Sequence, residues 1–227
     1  MKAMILSAGR GERLRPLTDH TPKPLLKAGE HSLIEHLIIA LVQAGITEII
    51  INYAHLGQQF PDTLGDGQQF GAKITYSPEQ QGGLETAGGI INALPLLGAE
   101  PFLVVNGDIW TNYPFEQLSK LELKTNKLAH LVLVNNPKHH PNGDFSLSSG
   151  SVNQQASKKF TFSGIAVYSP IFFAGLEVQR LALKPLLLES IAKQQLQGEH
   201  YNGLWSDIGT IERLQQLNEQ LVNLNSG

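Results

Sequence analysis

The stretch Ala3-Met4-Ile5-Leu6-Ser7-Ala8-Gly9-Arg10-Gly11-Glu12-Arg13-Leu14-Arg15-Pro16 decides the fold. Its first apolar run stops at a glycine-bearing loop, which reads as a buried strand delivering a turn. The same pattern recurs outward from it. Residues 32–44 predict a helix: Ser32 and Glu35 have capping-box spacing, and Ile34, Leu37, Ile38, Leu41 and Val42 share a face. Gly45 is a natural stop for it. Residues 48–52, 72–76, 102–105 and 127–134 predict strands, with a helix over 86–94. A strand over 160–168 and a helix over 184–195 follow. A last helix runs from about Thr210, with Leu214, Leu217, Leu221 and Leu224 as its apolar stripe.

Strands alternating with helices predict an α/β fold whose mainly parallel sheet is covered on both faces. Between Asn135 and Lys159 the pattern breaks at His139, Pro141, Asn142, Gly143 and Gly150, which reads as a loop or irregular hairpin laid over the sheet. With no internal repeat and no linker, the chain is expected to be one domain over 1–227.

Composition narrows the function. The 227 residues are 41% hydrophobic and 16% charged, as in a globular chain, and a formal net charge of −3 makes nucleic acid an unexpected partner. Cysteine is absent, so disulfides and thiolate chemistry are excluded. The apolar run at the start is too short for a secretory leader, and no stretch approaches the roughly 20 apolar residues of a membrane span. A cytoplasmic protein without a membrane partner is expected.

Five segments carry candidate chemistry. Gly9 and Gly11 follow the first strand, where ligands of open α/β sheets bind, and they allow a phosphate close to backbone N–H groups. Arg13 and Arg15 add forked cations. The dinucleotide fingerprint fails for want of a third glycine, and the P-loop fails for want of Gly-Lys-Ser/Thr. Pro22-Lys23-Pro24 holds a lysine on an extended, restricted backbone. In Leu84-Glu85-Thr86-Ala87-Gly88-Gly89-Ile90, Thr86 is a candidate helix cap and the glycines admit a ligand or a strand. Asn106-Gly107-Asp108 puts a carboxylate at the sheet edge, suited to Mg²⁺, and Trp205-Ser206-Asp207-Ile208-Gly209-Thr210 offers a second one before a helix. Each segment alone also reads as ordinary turn or cap chemistry.

Taken in order, the five segments resemble the sugar-1-phosphate nucleotidyltransferase family, whose signature is a Gly-x-Gly-x-Arg loop, then Lys-Pro, then Asn-Gly-Asp. Within it the chain is similar to the uridylyltransferases acting on N-acetylmuramate 1-phosphate in bacterial cell-wall recycling. The similarity extends to Asn136-Pro137-x-His139-His140-x-x-Gly143-Asp144-Phe145 and to Phe162-Ser163-Gly164-Ile165.

The resemblance implies a Rossmann-like three-layer sandwich with a mixed, mainly parallel central sheet and a small irregular hairpin region on the sugar side. Residues 1–112 would form the mainly nucleotide-binding half, and 113–227 the mainly sugar-binding half. It implies that Gly9, Gly11 and Arg13 hold the triphosphate of UTP, and that Lys23 meets the phosphates around the reacting phosphorus. Ala8, Gly9, Glu79 and Gly83 would line the base pocket. Glu85, Thr86, Asn106, Asp144 and Asp207 would lie on the sugar side, with Asp108 and Asp207 sharing Mg²⁺. Arg13, Lys23 and Asp108 would carry catalysis on UTP and a sugar 1-phosphate, in a monomer. Ser7, Ala87 and the proline-free Ser157-Lys158-Lys159-Phe160 depart from the family pattern, and the lysine meeting the sugar phosphate stays open.

The expected reaction is in-line attack of the sugar phosphate on the α-phosphorus. An ionised phosphate needs no general base, so the eight histidines read as spectators, with His139-His140 in a loop and pointing apart. A regulator that binds sugar nucleotides without catalysis would be expected to lack one of Lys23, Asp108 or Asp207. A glycosyltransferase would show Asp-x-Asp after the fourth strand, and none is found there.

Overall fold

Ala3–Leu6 forms strand β1, around which the molecule is arranged in a computed structural model that describes residues 1–80, 82–155 and 158–225, with side chains through 223. The remaining strands, in chain order, are β2 (Lys27–Ala28), β3 (His31–Ser32), β4 (Glu48–Tyr53), β5 (Lys73–Pro78), β6 (Phe102–Asn106) and β7 (Ile109–Thr111). They continue as β8 (Ala129–Val134), β9 (Ser146–Ser148), β10 (Ser151–Asn153), β11 (Thr161–Tyr168), β12 (Leu196–Tyr201) and β13 (Trp205–Asp207). The helices are α1 (Leu33–Gln43), α2 (Gln59–Leu64), α3 (Glu85–Leu97), α4 (Glu116–Ser119), α5 (Leu183–Ala192) and α6 (Ile211–Asn225).

Among the described residues, nine strands form one sheet in the order β5-β4-β1-β6-β11-β8-β12-β10-β9. β5, β4, β1 and β6 run parallel, β11 is antiparallel to both neighbours, β8 and β12 are parallel, and β10 and β9 finish the edge as an antiparallel hairpin. The chain leaves β1 toward β4 and returns on its other side as β6. Crevices that bind ligands open at such reversals, beyond the carboxyl ends of the strands. Here Leu6 lies in register with Asn106 at that point.

Alternate side chains of a strand face opposite ways, and β1 feeds two cores. Ala3 and Ile5 pack with Ile34, Leu37, Ile38 and Leu41 of α1, whereas Met4 packs with Ala87, Ile90 and Ile91 of α3 and Leu183 and Leu187 of α5. Helices therefore cover both faces, which gives the expected three layers. Burying an aliphatic side chain contributes about 1.5–3 kcal/mol, so these two faces dominate cohesion. A third cluster, of Leu14, Trp110, Ile208, Leu214 and Leu217, fixes α6 beside the two-stranded β7–β13 ladder. The α1 capping box forms as its spacing predicts: Ser32 N–H donates to Glu35 Oε2 (2.6 Å) and Glu35 N–H to Ser32 Oγ (3.4 Å).

Several expectations change. The hairpin expected within 135–159 forms, but β9 and β10 extend the edge of the sheet rather than lie over it, because Val152 reaches the second core and Ser151 pairs with Gln197 of β12. β12 itself was not legible, since Leu196-Gln197-Gly198-Glu199-His200-Tyr201 has no apolar run and owes its form to the parallel ladder with β8. Thr86 does not cap α3, which starts after Leu84 with no side-chain cap and already includes Glu85. Gly88 admits chain rather than ligand: a Cβ there would lie 2.1 Å from the Gln179 carbonyl oxygen. Leu224 of the predicted stripe and Ser157 lie outside the described side chains and residues respectively.

Candidate active site

The loop after β1 is tied down by a chain of hydrogen bonds. Ser7 N–H donates to Asn52 Oδ1 (2.8 Å), Asn52 Nδ2 donates to Glu79 Oε1 (2.6 Å), and Leu84 N–H donates to Glu79 Oε2 (2.7 Å). A cavity of about 320 Å³ opens above it, walled by Ser7, Ala8, Gly9, Arg10, Lys23, Gly82, Gly83, Glu85, Thr86, Asn106 and Asp108. Glu79 braces this wall from behind, with both carboxylate oxygens engaged, and does not line the cavity. Gly11, at φ +65°, turns the loop over Thr18 and Lys23, where a Cβ would meet Thr18 Cγ2 at 2.9 Å. Arg13 reaches the opposite side, beside Arg213; its Nη2 would lie 3.1 Å from a Cβ at Gly209.

Lys23 opens a short 3-10 turn rather than an extended segment, because the Leu26 N–H donates to the Lys23 carbonyl. The residue is 8% exposed, and Nζ lies 2.5 Å from Asp108 Oδ2. Asp108 follows the tip of β6, and its carbonyl accepts from the Ile208 N–H (2.8 Å). The β7–β13 ladder pairs Ile109 with Asp207, so two acids distant in sequence arrive together. Both line a cavity of about 290 Å³, with Asn106, His139 and His140.

Asp207 Oδ2 accepts a short bond from Arg213, while Oδ1 is 2.9 Å from His139 Nε2. That nitrogen is already the acceptor for Arg213 Nη1 (2.9 Å), and Asp207 Oδ1 remains buried without a donor. An open carboxylate oxygen beside a second carboxylate suits a hard divalent cation. Among the described residues no group of three or more metal-ligating side chains is gathered, so two acids would leave the rest of the shell to phosphate and water.

A larger cavity, of about 410 Å³, shares Leu6, Glu85, Thr86 and Asn106 with the first. Asn106 borders all three cavities. Its room is made by Gly164, at φ +79°, where a Cβ would fall 2.4 Å from Asn106 Nδ2. Asp144 lines the larger cavity, accepting from the Phe162 N–H (2.9 Å) and standing 3.3 Å from His140 Nε2. Glu85, held at φ +59°, pairs with Arg180 Nε at 3.0 Å. A non-glycine residue in that conformation is strained by about 1–3 kcal/mol, a cost often met where a side chain must face a ligand.

The structure thus gathers Ala8, Gly9, Lys23, Gly83, Glu85, Thr86, Asn106 and Asp108 on one cavity, Asp144 on the second and Asp207 on the third. Gly11, Arg13 and Glu79 line none of these three cavities. Sequence reading passed over Arg10, whose signal was its place between the two loop glycines. It also took the histidines as spectators. His139 and His140 do point apart, but each meets a different site carboxylate, Asp207 and Asp144.

Comparison with known proteins places the chain in a family. The model of the nucleotidyl transferase family matches residues 2–223. The chain is 51% identical over 222 residues to the N-acetylmuramate alpha-1-phosphate uridylyltransferase of Neisseria meningitidis serogroup B, covering 95% of this chain and 96% of that one. It is 29% identical over 221 residues to the mannose-1-phosphate guanyltransferase beta-A of Xenopus laevis, covering 92% of this chain and 61% of that longer protein. A Bacillus anthracis chain assigned as a glucose-1-phosphate thymidylyltransferase, solved with a sucrose, superposes with a TM-score of 0.86 over 97% of this chain and 94% of its own. At 23% identity that likeness is one of fold. The chain belongs to the nucleotidyl transferase family.

Proposed function

We propose that the protein transfers a uridylyl group from UTP to N-acetylmuramic acid 1-phosphate, releasing pyrophosphate and UDP-N-acetylmuramic acid, as a cytoplasmic monomer in peptidoglycan recycling. The 51% identity across nearly the whole chain carries the choice of base and sugar. The geometry supports the chemistry, because two cavities that share Glu85, Thr86 and Asn106 can seat two substrates side by side.

The nucleotide would occupy the cavity of the 1–112 half, its phosphates against Gly9, Arg10 and the N–H groups after β1. Gly11 shapes that turn, and Glu79 keeps the Gly82–Gly83 wall in place. The sugar would occupy the larger cavity, to which Asp144 and α5 of the 113–227 half contribute. Lys23 would draw charge from the reacting phosphates, and Arg13, with Arg213 near Asp207, would serve the pyrophosphate side. Mg²⁺, held by Asp108 and Asp207, would supply further charge neutralisation at the phosphate oxygens. The obstacle is the approach of two anions, so positioning and fixed positive charge do most of the work. The attacking phosphate is ionised at neutral pH, and no side chain is needed as a general base.

Pyrophosphate release with a panel of sugar 1-phosphates and nucleoside triphosphates tests the assignment. UTP with N-acetylmuramic acid 1-phosphate should give the highest kcat/KM. Faster turnover of glucose, mannose or N-acetylglucosamine 1-phosphate, or of GTP or dTTP, would reassign the substrates. No turnover of any pair would refute the enzyme reading.

A further inference from the structure

One cation on the wall of the larger cavity has no partner among the described residues. Three charged side chains line it: Glu85, Asp144 and Lys184. Glu85 is paired with Arg180, and Asp144 with His140 and the Phe162 N–H. Lys184, exposed on the first turn of α5, has no hydrogen bond or ion pair to any described residue. It belongs to the α5 wall, which the nucleotide cavity does not share.

A second observation points to the same place. Tyr168 also lines this cavity; it is fully buried, and its hydroxyl has no partner. Buried hydroxyls are nearly always hydrogen-bonded, because an unpaired one loses its bonds to water and gains nothing in return. Burial pushes the phenol ionisation well up, so the group remains a donor throughout the working pH range. The start of α5 adds to the local positive character: Ala182 provides no side-chain cap for the N–H groups of Leu183 and Lys184, while Pro185 has none.

We propose that Lys184 and Tyr168 form a subsite for a carboxylate carried on the sugar ring, the lactyl carboxylate of muramic acid, and so select the sugar. This rests on the substrate reading above. Muramic acid differs from glucosamine by that lactyl group, and its negative charge distinguishes the two. The remaining wall, with Val104, Phe145, Phe162 and Leu183, is apolar and has no charge of its own to offer. A hydrogen bond to a charged group supports discrimination of about tenfold to a hundredfold.

The test compares kcat/KM for N-acetylmuramic acid 1-phosphate and N-acetylglucosamine 1-phosphate, each with UTP and magnesium, in the full chain and in Lys184→Met, Lys184→Arg and Tyr168→Phe. The wild type should favour the muramyl substrate. Lys184→Met should lower the muramyl-to-glucosaminyl ratio by about tenfold or more, through KM for the muramyl substrate. Lys184→Arg should retain the preference, and Tyr168→Phe should reduce it severalfold. Equal losses on both substrates, or an unchanged ratio in Lys184→Met, would overturn the subsite while leaving the substrate assignment standing. A wild type with no preference for the muramyl sugar would overturn both.

Discussion

Lys23 shows how one side chain acquires a task. It is nearly buried, and it pairs with Asp108 at 2.5 Å. Removing the ammonium should lower kcat/KM by about a hundredfold or more, since a positioned charge on a developing anion is worth about 3 kcal/mol. Steady-state kinetics of Lys23→Ala, with circular dichroism to check folding, measures this; near-normal turnover would remove Lys23 from the reaction. Gly164→Ala should also damage activity, by forcing both a strained backbone and displacement of Asn106. Its stability should fall by about 1–3 kcal/mol, read from urea denaturation. Asn106 and Asp108 were legible because strand-terminal polar residues declare their setting locally, whereas Lys23 was found as a candidate but its 3-10 turn was not. Arg10 and Arg13 were not separable, because tertiary contacts decide which way each arginine of a glycine loop turns. Asp207 was legible as an acid before a helix, but its bond from Arg213 and its place beside His139 were not.

Elements were legible wherever the chain repeats one period. α1 has its apolar face and its capping box in sequence, and both form. Ser32→Ala removes the hydroxyl that caps Glu35 N–H and should cost about 1 kcal/mol in urea denaturation, with catalysis retained. No loss would mean that packing alone fixes the start of α1. The Glu35 carboxyl belongs to the same device. Burial pushes it up, but the Ser32 bonds and Lys27 outweigh burial and hold it below its ordinary value. β7, β12 and β13 carry no such pattern. Each is a strand because a neighbour offers an edge, and the β7–β13 ladder is what carries Asp207 to Asp108. The hairpin of β9 and β10 is short and polar for the same reason, and only its pairing with β12 makes it part of the sheet.

At the scale of the whole molecule, one network joins parts of the chain that periodicity leaves unrelated. Glu199 on β12 accepts a short bond from Tyr113 and lies 3.6 Å from the buried His130 on β8. His130 first, then Tyr113, hold its carboxyl below the ordinary value near 4.5, against the opposing effect of burial. A lowered carboxyl stabilises the fold above the unfolded-state value, and that stability is lost as pH falls through the folded one. Thermal melts of wild type and Glu199→Gln should therefore differ near neutral pH and converge as pH drops below about 4.5. A gap that stays constant with pH would deny Glu199 this role.

The three cavities around Asn106 draw on both halves of the chain, which is why no single segment disclosed them and the ordered set of five did. The most direct test of that joint site uses wild-type protein with UTP, N-acetylmuramic acid 1-phosphate and magnesium, and follows pyrophosphate and the sugar nucleotide together. Nucleotidyl transfer between adjoining cavities predicts the two products in equal amounts, with none when the sugar phosphate is omitted. Pyrophosphate without a sugar nucleotide, or neither product, would contradict it.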